Sequence, residues 1–256
     1  MSTVYAFINQ KGGVSKTTSA VNVGAALAIR GYRVLLIDLD PQGSLSVSTG
    51  YGDTTDLYTT YDVLKEKAEI VDAIQHKTDA VKPYDVMPTD IRLSGVDLEL
   101  AAVPARELIL KEAVAKVRQS YDYIFIDCPP SLGLLTVMGL TACDSVIIPV
   151  QSQYLALNGM SQLLNTVDIV KKRLNPQLEI MGVIITFYDG RQTLDREVLA
   201  QVSQAFPDKV FNTKLRKNVK LAEAPTFGKD IFAYDRRSLG AQQYEELATE
   251  IENRGK

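Results

Sequence analysis

Between Asn9 and Thr18 the chain reads Asn9-Gln10-Lys11-Gly12-Gly13-Val14-Ser15-Lys16-Thr17-Thr18. An apolar stretch, Val4 to Ile8, runs directly into it, and a segment of helical spacing from about Lys16 to Arg30 leads out. A glycine-rich turn from a buried strand into a helix N-terminus gathers backbone N–H groups and the positive end of the helix dipole at one point, which suits a phosphate. Gly12 and Gly13 let the main chain approach closely, Lys16 can reach the phosphates, and the Thr17 hydroxyl can ligate magnesium. The pattern G-x-x-x-x-G-K-[ST] is not met, because Gln10 and Ser15 stand at its two glycine positions. What stands here is K-G-G-x-x-K-T, with an extra lysine, Lys11, five residues before Lys16.

Two more segments belong with this loop. Val34 to Ile37 is a buried-strand pattern that ends in Asp38-Leu39-Asp40-Pro41-Gln42-Gly43. Alternation puts Asp38 and Asp40 on the same side as the strand leaves the sheet, at the carboxyl edge where open α/β sheets bind ligands. One carboxylate can support magnesium and the other can orient a water. Tyr123 to Ile126 is a third apolar strand, ending in Asp127-Cys128-Pro129-Pro130, and Asp127 can bind a magnesium-coordinated water in the manner of a Walker-B aspartate.

Further strand-like runs at Val146 to Val150 and Ile180 to Thr186 alternate with helical patterns at Ala105 to Gln119, Leu134 to Ala142, Gly159 to Leu174, Thr193 to Ala205 and Gly240 to Asn253. Strands apolar on both faces, separated by helices, predict a mostly parallel twisted sheet covered on both sides. The expected architecture is a single α/β domain over residues 1–256 of P-loop NTPase type. Gly50 to Asp62 reads as a loop near the sheet edge. His76, in a polar helix-to-loop stretch, reads as a surface residue, and Tyr121 and Tyr123 as packing residues.

The balance of 28 Lys and Arg against 31 Asp and Glu argues against a uniformly basic nucleic-acid coat and leaves room for a local patch. Cys128 and Cys143 are too few for a disulfide framework and read as buried, reduced thiols. No signal peptide and no apolar span of membrane length is evident, so a cytoplasmic location is expected.

The chain resembles the ParA/MinD family of deviant Walker-A ATPases, and within it the short Soj-like ParA partition proteins. The resemblance is carried by Asn9 to Thr18, Asp38 to Gly43, Asp127 to Gly133, Ile148-Pro149-Val150-Gln151 and Leu221 to Lys229, and covers nearly the whole sequence. It implies ATP and Mg²⁺ as cofactors, with Lys11, Gly12, Gly13, Val14, Ser15, Lys16, Thr17 and Thr18 around the phosphates and Asn218 beside the adenine. It makes Thr17, Asp38 and Asp127 the magnesium residues, and Lys11, Lys16 and Asp40 the catalytic ones. Lys11 would cross an ATP-dependent homodimer interface to the partner's phosphates, and Asp40 would orient the attacking water. Two positions depart from the family pattern. Ser15 stands where glycine is usual, beside the phosphate cradle, and Arg216 replaces a proline that usually packs near Asn218.

From Lys209 to Arg237 eight basic residues face three acidic ones. The resemblance implies nonspecific duplex DNA binding through Arg191, Lys217 and Lys220, a nucleoid-associated location, and a ParB-type centromere-binding partner that stimulates hydrolysis. Plasmid or chromosome segregation would be the result. A ParA-like positioner of a protein cargo is an alternative the sequence leaves open. A MinD-like membrane ATPase would want a basic amphipathic C-terminal helix, whereas Glu245, Glu246, Glu250 and Glu252 make this one acidic. A dinucleotide oxidoreductase would need G-x-G-x-x-G after the first strand, and an iron–sulfur relative would need cysteines placed at a subunit interface. Only ten residues precede Lys11, so an additional N-terminal operator-binding domain is not expected.

Overall fold

The computed structural model describes residues 2–152 and 160–255. Seven strands form one sheet: β1 (Thr3–Phe7), β2 (Val34–Asp38), β3 (Gln75–Lys77), β4 (Tyr84–Met87), β5 (Tyr123–Asp127), β6 (Ser145–Gln151) and β7 (Glu179–Thr186). Their order is β3-β4-β2-β5-β1-β6-β7, parallel throughout except for the antiparallel edge pair β3–β4.

Among the described residues twelve α-helices accompany them: α1 (Lys16–Ile29), α2 (Ser44–Ser48), α3 (Thr60–Leu64), α4 (Ile70–Ala73), α5 (Val96–Glu99), α6 (Ile109–Val117), α7 (Leu134–Ala142), α8 (Met160–Arg173), α9 (Thr193–Ala205), α10 (Val219–Glu223), α11 (Ile231–Asp235) and α12 (Leu239–Arg254). The predicted helix over Ala105 to Gln119 narrows to α6 flanked by 3₁₀ turns. The one predicted from Gly159 is described from Met160 onward, Gly159 itself lying outside the described residues.

Period-two alternation divides each strand between two cores. Val4, Ala6, Leu35, Ile37, Ile124 and Ile126 face a layer built from α3, α4 and α6 to α9. Tyr5, Phe7, Val34, Leu36 and Phe125 face α1, α2, α11 and α12. Tyr123 stacks on Phe125 with ring centroids 6.2 Å apart, so its role is packing.

Helix α1 can lie close on the sheet because Gly24 has no side chain. A Cβ there would stand 2.6 Å from a methyl of Leu36. At the end of α1, Arg30 is clamped to α12: its guanidinium donates to Glu245 Oε1 at 2.8 Å, Glu252 Oε2 at 2.9 Å and Thr249 Oγ1 at 2.6 Å. Glu250 accepts from Asn212 N and Thr213 N at 2.7 and 2.6 Å. Much of the acidic face of α12 is therefore occupied by this protein's own donors.

The edge hairpin was not legible as strands. His76 pairs across it with Asp85, Nδ1 to Oδ1 at 2.6 Å, and Tyr121 donates to the other Asp85 oxygen at 2.6 Å. From the same hairpin the buried Lys77 donates to Gly228 O at 3.0 Å. Gly228 sits at φ +61 against Gly50, at φ +86, so closely that a Cβ on Gly228 would stand 2.7 Å from Gly50 Cα.

Candidate nucleotide site

The carboxyl ends of the central strands bring the predicted residues together. Asp38 and Asp127 are register partners across β2 and β5, and Phe7, at the end of β1, partners Asp127 from the other side. The loop after β1 therefore opens directly above both carboxylates. Gly12 and Gly13 would meet nothing within 4 Å if given a Cβ, so the space over the turn is open. Ser15 takes the left-handed conformation, φ 71 and ψ 28, at the N-cap of α1. A non-glycine residue there costs about 1 kcal/mol or more, a strain tolerated mainly where function holds the backbone.

Lys16 is buried, with its ammonium 3.4 Å from Lys11 O. Burial pushes its pKa down, and the carboxylates of Asp127 and Asp40 push back. The Thr17 hydroxyl donates to Asp127 Oδ2 at 2.5 Å, while Asp127 Oδ1 is buried without a hydrogen-bond partner. Desolvation, then the neighbouring Asp38, holds the Asp127 carboxyl well above its ordinary value, against the Thr17 bond. Asp38 is fully buried and its pKa is raised to about 7, chiefly by desolvation. Its oxygens are engaged: Oδ1 accepts from Asp40 N at 3.2 Å, and Oδ2 from Ser46 N and Oγ at 2.8 and 2.7 Å. Asp40 turns its own carboxylate to Gln42 N at 3.0 Å. A water-bridged magnesium ion suits this arrangement. It would complete the unpaired Asp127 oxygen and take Thr17 as a ligand, with phosphate and water filling the rest of its shell. Among the described residues no group of three or more His, Cys, Asp or Glu could hold a metal by itself.

The remaining predicted residues surround this centre. Lys11 is exposed and donates to Gln151 Oε1 at 3.1 Å. Val14 O accepts from the buried Thr186 hydroxyl at 3.3 Å, and Thr18 O from Asn22 Nδ2 at 2.7 Å, which anchors the loop from both sides. Asn218 caps α10 through Lys220 N at 2.8 Å and lines a 120 Å³ cavity with Ser15, Thr18, Phe187, Arg216 and Leu221. Arg191 and Lys217 line a neighbouring cavity of 1220 Å³ that reaches Gly13 and Gln151. Arg191 is ion-paired with Asp189 at 2.7 Å, and Lys220, within α10, with Glu223 at 3.0 Å.

Sequence reading missed Ser46, Thr60 and Thr89, which hold the aspartate loop. Thr60 Oγ1 donates to Asp38 O at 2.8 Å, and Thr89 N donates to Ser46 Oγ at 2.9 Å. Thr60 falls in the Gly50 to Asp62 segment read as loop, and Ser46 and Thr89 lie outside every predicted strand and helix, so no periodic signal singles these hydroxyls out.

A lysine and a hydroxyl on a strand-to-helix turn, set over strand-end aspartates of a parallel sheet, define the class as a P-loop ATPase. A family model described as an AAA domain matches residues 2–180. The sporulation initiation inhibitor protein Soj of Bacillus subtilis is 49% identical over 255 residues, covering 100% of both chains. The chromosome partitioning protein ParA of Caulobacter vibrioides is 47% identical over 253 residues, 98% of this chain and 94% of that one. Among solved structures, a cobyrinic acid a,c-diamide synthase of Mycobacterium smegmatis with bound ADP and magnesium superposes with a TM-score of 0.84 at 38% identity, covering 97% of this chain and 93% of that one. The chain belongs to the ParA/Soj family of P-loop ATPases. Among the described residues no helix is long and apolar enough to cross a membrane.

Proposed function

We propose that the chain binds Mg·ATP at this site, pairs with a second copy when ATP is bound, and in that state holds duplex DNA without sequence preference, as the engine of chromosome or plasmid partition. The observation that carries the reading is the exposed Lys11 beside open space over Gly12 and Gly13, which leaves room for a second subunit. The roles of the site residues join their chemistry to what the family resemblance implies. Lys16 and the loop N–H groups would hold the β- and γ-phosphates, Thr17 and Asp127 would hold magnesium with Asp38 supporting it from behind, and Asp40 would orient a water in line with the γ-phosphorus. Magnesium supplies charge neutralisation on the phosphate oxygens. As the water oxygen bonds to phosphorus, the bond to the β,γ-bridging oxygen breaks, leaving ADP and phosphate. Lys11 of each subunit adds positive charge at the other's phosphates, so hydrolysis depends on pairing.

Arg191, Lys217 and Lys220 would meet DNA phosphates. Exposed ion pairs such as Arg191–Asp189 and Lys220–Glu223 are weak and screened by salt, so phosphate can displace the carboxylates. Two such patches on one dimer double the phosphates contacted and steepen the salt dependence. A ParB-type protein would trigger hydrolysis and release. Nonspecific duplex binding, measured across a salt series with ADP, with ATP, and with ATP in Asp40→Ala, tests the cycle. Salt-sensitive binding with ATP alone, strengthened in the variant and lost in the double variant Lys217→Glu/Lys220→Glu, is the expected result. Binding indifferent to nucleotide refutes the switch and directs attention to a protein cargo. Retention of DNA by the double variant removes the basic patch.

A further inference from the structure

We infer that Ser46 is a positioning residue for ATP hydrolysis, fixing the main chain of Asp40 through the side chain of Asp38. The inference rests on the reading of Asp40 as the water-orienting group. Ser46 is 1% exposed and Asp38 has no exposed surface. The Ser46 hydroxyl does two things at once: it donates to Asp38 Oδ2 at 2.7 Å and accepts from Thr89 N at 2.9 Å, at the end of β4. The Ser46 amide adds a second bond to the same carboxylate oxygen at 2.8 Å. With Oδ2 held in this way, Oδ1 faces the Asp40 amide and accepts from it at 3.2 Å. Thr60 ties the main-chain oxygen of Asp38, at 2.8 Å, and Asp40 O accepts from Gly43 N at 2.8 Å, closing the turn.

Asp38 is thereby a bracket between α2 and the Asp40 backbone rather than a group turned outward to a ligand. Removing the hydroxyl leaves the buried Thr89 N–H without its acceptor and Asp38 Oδ2 with one donor instead of two. Buried polar groups do not stay unpaired when a rotation can pair them, so the carboxylate turns and the Asp40 amide loses its anchor. The ATP-holding groups, Lys16, Thr17 and the glycine turn, are bonded elsewhere and keep their geometry. The consequence is a loss specific to turnover: a misplacement of about 1 Å in an in-line attack costs up to roughly 100-fold in rate.

The test compares Ser46→Ala, Ser46→Thr and Asp40→Ala by phosphate release, by affinity for a non-hydrolysable ATP analogue, and by hydrogen exchange of the Asp40 amide in nucleotide-free protein. Expected for Ser46→Ala are a kcat reduced roughly 10- to 100-fold, analogue affinity within about threefold of the parent, and faster exchange at Asp40. Ser46→Thr, which keeps the hydroxyl, should recover most of the rate and the protection. An unchanged kcat overturns the inference, as does an affinity that falls in step with kcat, which marks a general structural role. If Asp40→Ala turns over like the parent, the water-orienting reading fails and this inference with it. An inactive Asp40→Ala beside an unimpaired Ser46→Ala sinks the inference alone. Should Ser46→Ala not fold, Ser46→Cys, close in size and only a weak donor, takes its place in the same measurements.

Discussion

Without magnesium, raising the pH from about 5 to 7 should weaken the folded state. Asp38 has no exposed surface, and its pKa rises from 3.8 to about 7; desolvation is the largest cause, partly offset by the Ser46 and Asp40 bonds. The folded chain keeps a proton that the unfolded chain has released, so this contribution is complete below about pH 3.8 and disappears as the pH climbs through about 7. A difference of roughly three pH units corresponds to about 4 kcal/mol, of which about 2 kcal/mol falls between pH 5 and 7. Asp127 and Asp230, both also raised chiefly by burial, add to the decline. The carboxyls held below their usual range by hydrogen bonds and cations, Asp79, Asp90, Asp122 and Asp189, act in the opposite direction, but their windows lie at lower pH. Urea unfolding in EDTA at about pH 5, 6 and 7 measures the slope, and the double variant Asp127→Asn/Asp230→Asn, which removes the other two raised carboxyls, leaves the Asp38 share, about 2 kcal/mol. Mg·ATP should oppose the trend, because the cation favours the ionised carboxylates. A stability that is flat or rising over this interval in EDTA would show that these aspartates stay ionised in the free protein, refuting the reasoning.

Lys16→Ala should weaken ATP at least about 100-fold, near 2.7 kcal/mol, because the loop's only buried ammonium is removed from the phosphate cradle. Titration with a fluorescent ATP analogue checks this, and ordinary affinity would remove the loop assignment. Gly228→Ala should destabilise by about 2 to 4 kcal/mol through its left-handed φ and its contact with the Gly50 main chain. An unmoved urea midpoint would mean the two loops part easily.

The sheet's parallel core was legible because β1, β2, β5, β6 and β7 are apolar runs, and all of them but β2 lead into a helix with clear spacing. β4 is short and carries Asp85 on its paired edge, and β3 consists of Gln75, His76 and Lys77, so neither shows the apolar signal of a buried strand. Their strand character comes from pairing with each other and with β2, a tertiary cause that local pattern does not register. At the site, Lys16, Thr17 and Asp127 were readable from spacing, since phosphate chemistry demands those groups next to one turn. The Asp38 carboxylate was readable as a site residue, whereas its bonds to Ser46 and Asp40 depend on how α2 folds back. The acidic residues on α12 were legible as an acidic helix face, but not their partner: Arg30, more than two hundred residues earlier, pairs with Glu245 and Glu252.

Gly50 and Gly228 meet main chain to main chain, and that contact bears on how the sequence can drift. A side chain at Gly228 would have to displace the Gly50 main chain, not merely turn a rotamer, whereas one at Gly50 would press first on the Lys77 ammonium, 3.3 Å from its Cβ, and reach Gly228 only at ordinary contact distance. The constraint is one-sided across 178 residues of chain: Gly228 is tied to the position of the Gly50 main chain, while Gly50 is held by its own left-handed φ of +86. In a set of relatives, loss of glycine at 228 should therefore coincide with an altered loop at 50, which makes Gly228 a marker of which relatives keep α2 and the segment before Asp230 joined in this way.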